Sequence, residues 1–290
     1  MAATRRSQWQ GWLFIGPALL FVAVFVLAPL GQLVAMSMTD KSLLGGGRFI
    51  GLGNYVKIWN DSGFWRALAF TVEYTLVITP ILMALGFAIA LLTADNTPLK
   101  RATRTIVFLP VVIGLSSSSL LWYWLFDEQV GLFNRLLVAL HVISEPIVWF
   151  VSPRLAFWAV VISITWKVVG FGMVLFVSAI QSINSEILEA AMMDGARYWT
   201  RVRLIVAPLC RRILLLTTLI SAVGSMLAFD QFYIMTSGGP RGQTFTAVYA
   251  IYQNSFVSFR LGYGAALSIV LTLIIMAFSS LQIALTAREE

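Results

Sequence analysis

Between residues 182 and 212 the chain carries polar and charged side chains in an order that a plain tether does not need. Asn184 or Ser185 can accept from the free amides of a helical first turn, and Glu186 falls within that turn. Gly195 supplies a left-handed stop and Pro208 ends the segment beyond it, so the stretch predicts two short helices with a turn at Gly195. On the first helix Ile187, Ala190, Ala191 and Asp194 share one face, where the alanines let another backbone approach, while Glu189 points elsewhere and can pair with a basic group. On the second, Tyr198, Val202 and Ile205 form a stripe flanked by Trp199 and Val206, opposite Arg197, Thr200 and Arg201. The chemistry this pattern supports is non-covalent docking, either against another polypeptide or on lipid headgroups.

A second set of polar groups is notable for its apolar surroundings. Lys167, Glu73 and Asp230 lie inside long hydrophobic runs, where a charge at the centre of a bilayer costs roughly 2.5–3.5 kcal/mol and so must face protein or water. Lys167 is about 18 Å along its run at the rise of a helix, too deep to snorkel easily. Ser116, Ser117, Ser118 and Ser119 form a small polar stretch that fits a hydroxyl-lined path for a polar solute or close helix packing equally well. Lys167, Asp230, Glu73, Ser117 and Ser118 are therefore candidates for a translocation path, with structural pairing as the other reading.

Other chemistries have less to stand on. Cys210 is the single cysteine and His141 the single histidine, which excludes an internal disulfide and leaves no metal-ligand spacing; no metal, catalytic residue or cofactor is expected in the chain. No catalytic serine motif or carboxylate cluster supports a membrane-embedded enzyme. Nor is there a G-x-x-x-x-G-K-[ST] phosphate loop, and the four lysines, Lys41, Lys57, Lys100 and Lys167, offer no place for one.

The elements that must hold these residues are membrane helices. Of 290 residues 59% are hydrophobic and 11% charged, too few charges for a water-exposed surface. Six apolar runs, at about 11–38, 66–93, 105–126, 155–181, 213–235 and 261–286, are each long enough to cross a bilayer, giving an all-α polytopic bundle with lipid as its main solvent. The net charge of +7 would suit nucleic acid in a soluble protein. Here the basic residues cluster at Arg5 and Arg6, at Lys100, Arg101 and Arg104, and at Arg197, Arg201, Arg203, Arg211 and Arg212, which alternate with less basic links; no nucleic-acid partner is expected. That alternation puts both termini on the cytoplasmic side, with Arg5 and Arg6 read as a positive-inside anchor rather than an export signal. Trp122, Tyr123, Trp124 and Phe126 mark an outer boundary, and Pro17, Pro29, Pro80 and Pro110 predict kinked spans. No internal repeat is evident, so residues 1–290 read as one membrane domain with its cytoplasmic link at 182–212.

Glu189-Ala190-Ala191, Asp194-Gly195-Ala196, Ile205 and Pro208 together resemble the cytoplasmic E-A-A-x-x-D-G-A loop of binding-protein-dependent ABC importer permeases of the carbohydrate type. The likeness extends to Phe49-Ile50-Gly51-Leu52-Gly53-Asn54-Tyr55, Phe108-Leu109-Pro110, Gly131-Leu132-Phe133-Asn134, Trp166-Lys167, Phe229-Asp230 and Thr236-Ser237-Gly238-Gly239-Pro240, as in sugar and glycerol-phosphate permeases. Departures from the family pattern fall at Val202, Ala207 and Arg212. The resemblance implies a type I ABC importer permease fold in the bacterial plasma membrane, with Glu189, Ala190, Ala191, Asp194, Gly195 and Ala196 in a coupling helix. It also implies a second permease subunit, two ATPase subunits that bind ATP and Mg, and an extracytoplasmic substrate-binding protein. The competing expectation is an autonomous ion-coupled transporter using Glu73, Lys167 and Asp230.

Overall fold

The computed structural model describes residues 14–287, so Arg5 and Arg6 lie outside the described residues. All regular elements described are helical, apart from isolated bridges joining Thr39 to Phe49 and Ser42 to Gly45. Four helices have the length and hydrophobicity to cross a bilayer: α1 (Phe14–Ser37), α3 (Ser62–Thr93), α7 (Pro153–Gln181) and α12 (Leu261–Ala287). Two bent pairs raise the number to six. They are α4 (Pro98–Val112) with α5 (Leu115–Leu125), meeting at 100°, and α9 (Tyr198–Leu209) with α10 (Arg211–Met226), meeting at 70°. Shorter helices are α2 (Gly53–Trp59), α6 (Leu132–Ala139), α8 (Ser185–Met193) and α11 (Ala247–Tyr252).

The apolar run at 105–126 falls on two helices, and the reason is local. Pro110 removes a donor near the end of α4, Ile113 turns to an extended conformation (ψ 138°), and Gly114 (ψ 143°) starts α5 in a new direction. The run at 213–235 falls on α10 and a following π turn, Phe232–Thr236. Two prolines act differently. Pro29 and Pro208 each lie two residues beyond a π turn, Ala23–Leu27 and Val202–Val206, in which the wider turn accommodates the ring and the missing amide without ending the helix.

The described chain divides into two compact units. One comprises residues to Ser62 with Ala250–Ile274. In it the Asn54 amide donates to the Ser37 and Thr39 carbonyls, both at 2.8 Å, and the Ser37 hydroxyl meets the Tyr55 hydroxyl at 2.8 Å, tying α2 to the end of α1. The Gly262 amide reaches the Lys41 carbonyl at 2.9 Å, fixing the start of α12 to the same segment.

The other unit, Gly63–Tyr249 with the last turns of α12, holds most of the apolar core. Tyr74 and Ile78 of α3, Val160 and Ile164 of α7, and Phe232 interlock there. The Tyr74 and Phe232 rings meet edge to face at 5.0 Å, and Trp122 of α5 stacks on Phe133 at 5.4 Å, contacts that add to simple area burial. Lower along α3 and α7, Ala90, Met173, Phe176 and Val177 form a second cluster.

Candidate functional site

The 182–212 link folds as a helix, a left-handed turn and a second helix. Asn184 is the cap of α8, its Oδ1 accepting from the Glu186 amide at 3.1 Å. At the far end Asp194 closes the helix, and Gly195 stands at φ 78°. The Gly195 amide donates to the Met192 carbonyl at 3.0 Å and the Ala196 amide to the Ala191 carbonyl at 2.9 Å, the paired bonds of a Schellman stop. Both ends of α8 are thus satisfied by the link's own residues.

What α8 lacks is a core. None of its residues is buried. Glu189, Ala190 and Asp194 are exposed, Ala191 and Ala196 are half-buried, and Met193, Met192 and Ile187 present apolar side chains outward, Met193 at 89% exposure. A nine-residue helix is too short to persist through propensity alone, so an amphipathic segment of this kind needs a surface to lie on. In α9 the buried residues are Val202 and Val206, continued by Cys210 after the helix, whereas Tyr198 remains 47% exposed and Trp199 73%. The expected stripe of Tyr198, Val202 and Ile205 is shifted by the π turn at Val202–Val206, which adds a residue to the repeat. Tyr198, Trp199 and Val202 border an apolar cavity of about 400 Å³ against Ala84, Phe87 and Ala88 of α3.

The ionisable residues of the spans have separate environments. Lys167 is buried in α7, and its Nζ donates to the Val111 carbonyl at 2.9 Å. That carbonyl belongs to the last turn of α4, where the chain leaves the helix and no amide of a further turn arrives to donate to it, and a cation at a helix C-terminus is also favoured by its dipole. One turn along α7, Gly170 lets α4 approach so closely that a Cβ there would collide with the Val107 carbonyl oxygen and lie 2.8 Å from the Phe108 Cα. Lys167 and Gly170 thus act on the same α4–α7 contact. Replacing Lys167 with methionine preserves bulk but removes the donor, and is expected to cost about 1–3 kcal/mol, read as a lower unfolding midpoint in detergent.

Asp230 is half-buried and accepts from the Ser116 hydroxyl at 2.6 Å, joining the start of α5 to the segment before Phe232–Thr236. Ser116, rather than Ser117 or Ser118, is the serine that meets this carboxylate; Ser117 is exposed, and buried Ser118 bonds back to the Leu115 carbonyl at 3.3 Å. The sequence offered four adjacent serines, and only the direction of α5 after the bend selects among them. Glu73 is exposed on α3. The structure therefore does not gather Glu73, Lys167 and Asp230 into one cluster. A double-mutant cycle with Ser116→Ala and Asp230→Ala is expected to give a coupling of about 1.5–3 kcal/mol in unfolding, as for a hydrogen bond to a charged group.

Four long apolar helices, six spans if each bent pair counts as one, and an all-helical architecture among the described residues define a multi-pass membrane protein that also carries an exposed helix, α8, terminated at both ends by its own link. The chain belongs to the family of binding-protein-dependent transport system inner membrane components, whose family model matches residues 50–289. It is 35% identical over 97% of its length to the lactose transport system permease protein LacF of Rhizobium radiobacter, covering 97% of that protein. It is 30% identical to the trehalose/maltose transport system permease protein MalF of Thermococcus litoralis, over 94% of this chain and 92% of that one. Its fold superposes with TM-score 0.88, at 18% identity, on a chain from a crystal structure of a bacterial alginate ABC transporter in complex with an alginate pentasaccharide-bound periplasmic protein, covering 99% and 97% of the two chains. The chain is a permease subunit of a binding-protein-dependent importer.

Proposed function

We propose that the chain carries a sugar or sugar-like solute into the bacterial cytoplasm across the plasma membrane, driven by ATP hydrolysed in partner subunits. The relatives named for lactose and for trehalose/maltose support a carbohydrate cargo. A glycerol phosphate remains the second reading, since the motifs at 49–55 and 236–240 resemble permeases of both kinds. Residues 1–290 act as one permease domain, with both termini cytoplasmic and the 182–212 link as its coupling element. It works with a second permease, two ATPase subunits that hold ATP and Mg, and an extracytoplasmic binding protein.

The single observation that carries this is α8, a helix terminated at both ends by its own link and burying none of its residues. Such an element transmits force only when another protein covers it. In the proposed cycle Glu189 pairs with a basic group of the ATPase, Ala190 and Ala191 let its backbone come close, and Asp194, Gly195 and Ala196 hold the turn that makes α8 and α9 move as one lever. Closure of the ATPase dimer then tilts the spans to open one side at a time. Lys167 ties α4 to α7 through this movement and, with Asp230, Glu73, Ser117 and Ser118, is a candidate for the solute path. Uptake by proteoliposomes holding both permeases, the ATPase and the binding protein is expected to require ATP. Equal uptake by this chain alone under an ion gradient would overturn the proposal.

A further inference from the structure

In the unit formed by residues to Ser62 and Ala250–Ile274, a cavity of about 710 Å³ lies where α1 has ended and α12 begins. Lys41, Lys57 and Arg260 line it. None of the three side chains makes a hydrogen bond or ion pair to another described residue. The two carboxylates beside them already hold donors. Asp40 Oδ1 accepts from the Arg48 amide, and Asp61 Oδ2 accepts from the Tyr263 hydroxyl at 2.6 Å. With Asp40 and Asp61 the lining holds three positive and two negative groups, a net charge of +1, and the three cations, without an ion pair among the described residues, have donors to offer an oxyanion that is not part of the chain.

The segments that supply these residues also carry exposed apolar side chains. Leu44, Phe49, Val56 and Trp59, which belong to the same stretch of chain as the lining residues but do not line the cavity, are 83%, 76%, 63% and 78% exposed. No residue of the most apolar stretch of α1, which leads directly into Asp40 and Lys41, is buried. Outward tryptophan, phenylalanine and aliphatic side chains between a span and a charged loop are the pattern of the membrane interface, and a freely dissolved anion would need none of them. Arginine and lysine donate charge-assisted hydrogen bonds to the phosphate oxygens of a headgroup in either leaflet.

We propose that this cavity binds the phosphodiester headgroup of an anionic phospholipid, with Lys41, Lys57 and Arg260 around the phosphate and the acyl chains along the apolar surface of α1. Such a site depends on the membrane placement of the chain and not on its cargo or its ATPase.

Native mass spectrometry of the purified full-length chain, with phosphatidylglycerol or phosphatidylcholine added at equal concentration, tests it. The wild type is expected to retain phosphatidylglycerol preferentially. The triple variant K41Q/K57Q/R260Q is expected to bind it about a hundredfold more weakly, at roughly fivefold for each basic residue lost. The charge-preserving K41R/K57R variant and the remote K100Q variant are expected to stay within about twofold of wild type. Those two variants also separate lost binding from lost folding. Equal retention by the triple variant would overturn the proposal, as would displacement of the lipid by inorganic phosphate at matched concentration, which would mark a site for a free anion. Preferential capture of a polyglutamate peptide would overturn it too, in favour of an acidic protein segment.

Discussion

Gly195→Val is expected to lower ATP-dependent uptake about tenfold while the protein still inserts and the assembled ATPase still turns over, because a left-handed L-residue costs about 1–2 kcal/mol and 1.4 kcal/mol is a tenfold shift. Gly195 sits at φ 78°, and an added Cβ would meet nothing within 4 Å, so the penalty comes from the backbone rather than from a clash. The strained turn is relieved by giving up the bonds from Gly195 to Met192 and from Ala196 to Ala191, which swings α8 away from the direction set by α9. Valine, branched at Cβ, tolerates this region least and asparagine comparatively well. Uptake should therefore fall in the order glycine, asparagine, alanine, valine, with ATP hydrolysis changing less than transport. A flat series would show that the turn does not transmit the movement.

The largest structural effect is expected at Gly170. Even Gly170→Ala places a carbon against the Val107 carbonyl oxygen and 2.8 Å from the Phe108 Cα, both backbone atoms that cannot rotate away. Helices α4 and α7 have to separate, and the bond from Lys167 to the Val111 carbonyl lengthens with them. Overpacking of this kind costs about 1–3 kcal/mol, and a larger side chain such as leucine belongs at the upper end. The expected readout is a marked loss of folded protein extracted in mild detergent and a lower unfolding midpoint. Gly224→Ala in α10 is the control, since a Cβ there meets nothing within 4 Å and an alanine within a helix gains up to about 1 kcal/mol over glycine. Equal behaviour of the two variants would remove the close α4–α7 approach from the account.

Much of the architecture was legible because lipid imposes a simple rule. A span must be long, apolar and helical, so hydrophobic runs locate α1, α3, α7 and α12 to within a few residues. Asn184 and Gly195 were legible for a related reason, since capping is a local transaction between neighbouring residues. The bends were harder to read. Pro110 announced a kink, but the angle of 100° depends on Ile113 and Gly114 turning extended and on Lys167 satisfying a carbonyl 56 positions earlier in the chain. The burial pattern of α9 was hidden by its π turn, because helical periodicity assumes a constant repeat.

The same limit applies to the polar residues of the spans. Composition marks Lys167, Glu73 and Asp230 as costly in lipid, but says nothing of which neighbour relieves each. The folded chain gives three different answers: a helix-end carbonyl for Lys167, the Ser116 hydroxyl for Asp230 and an outward position for Glu73. The bond from Lys167 to the Val111 carbonyl joins two helices, a contact that the residue type alone does not announce. The bond between Asp230 and Ser116 joins segments 114 residues apart, a distance over which no local pattern carries information.

In the proposed cycle α8 presses on a separate ATP-hydrolysing protein in the cytoplasm, and site-directed crosslinking tests this most directly. Cys210 is the single cysteine, so Cys210→Ser gives a background in which Met193→Cys, at a position 89% exposed, is the one reactive thiol. In membranes holding the assembled transporter, that thiol is expected to crosslink to the ATPase subunit, with a yield that changes when nucleotide is added. Labelling by a membrane-impermeant thiol reagent from the extracytoplasmic side, or the absence of any crosslinked polypeptide during turnover, would contradict the account.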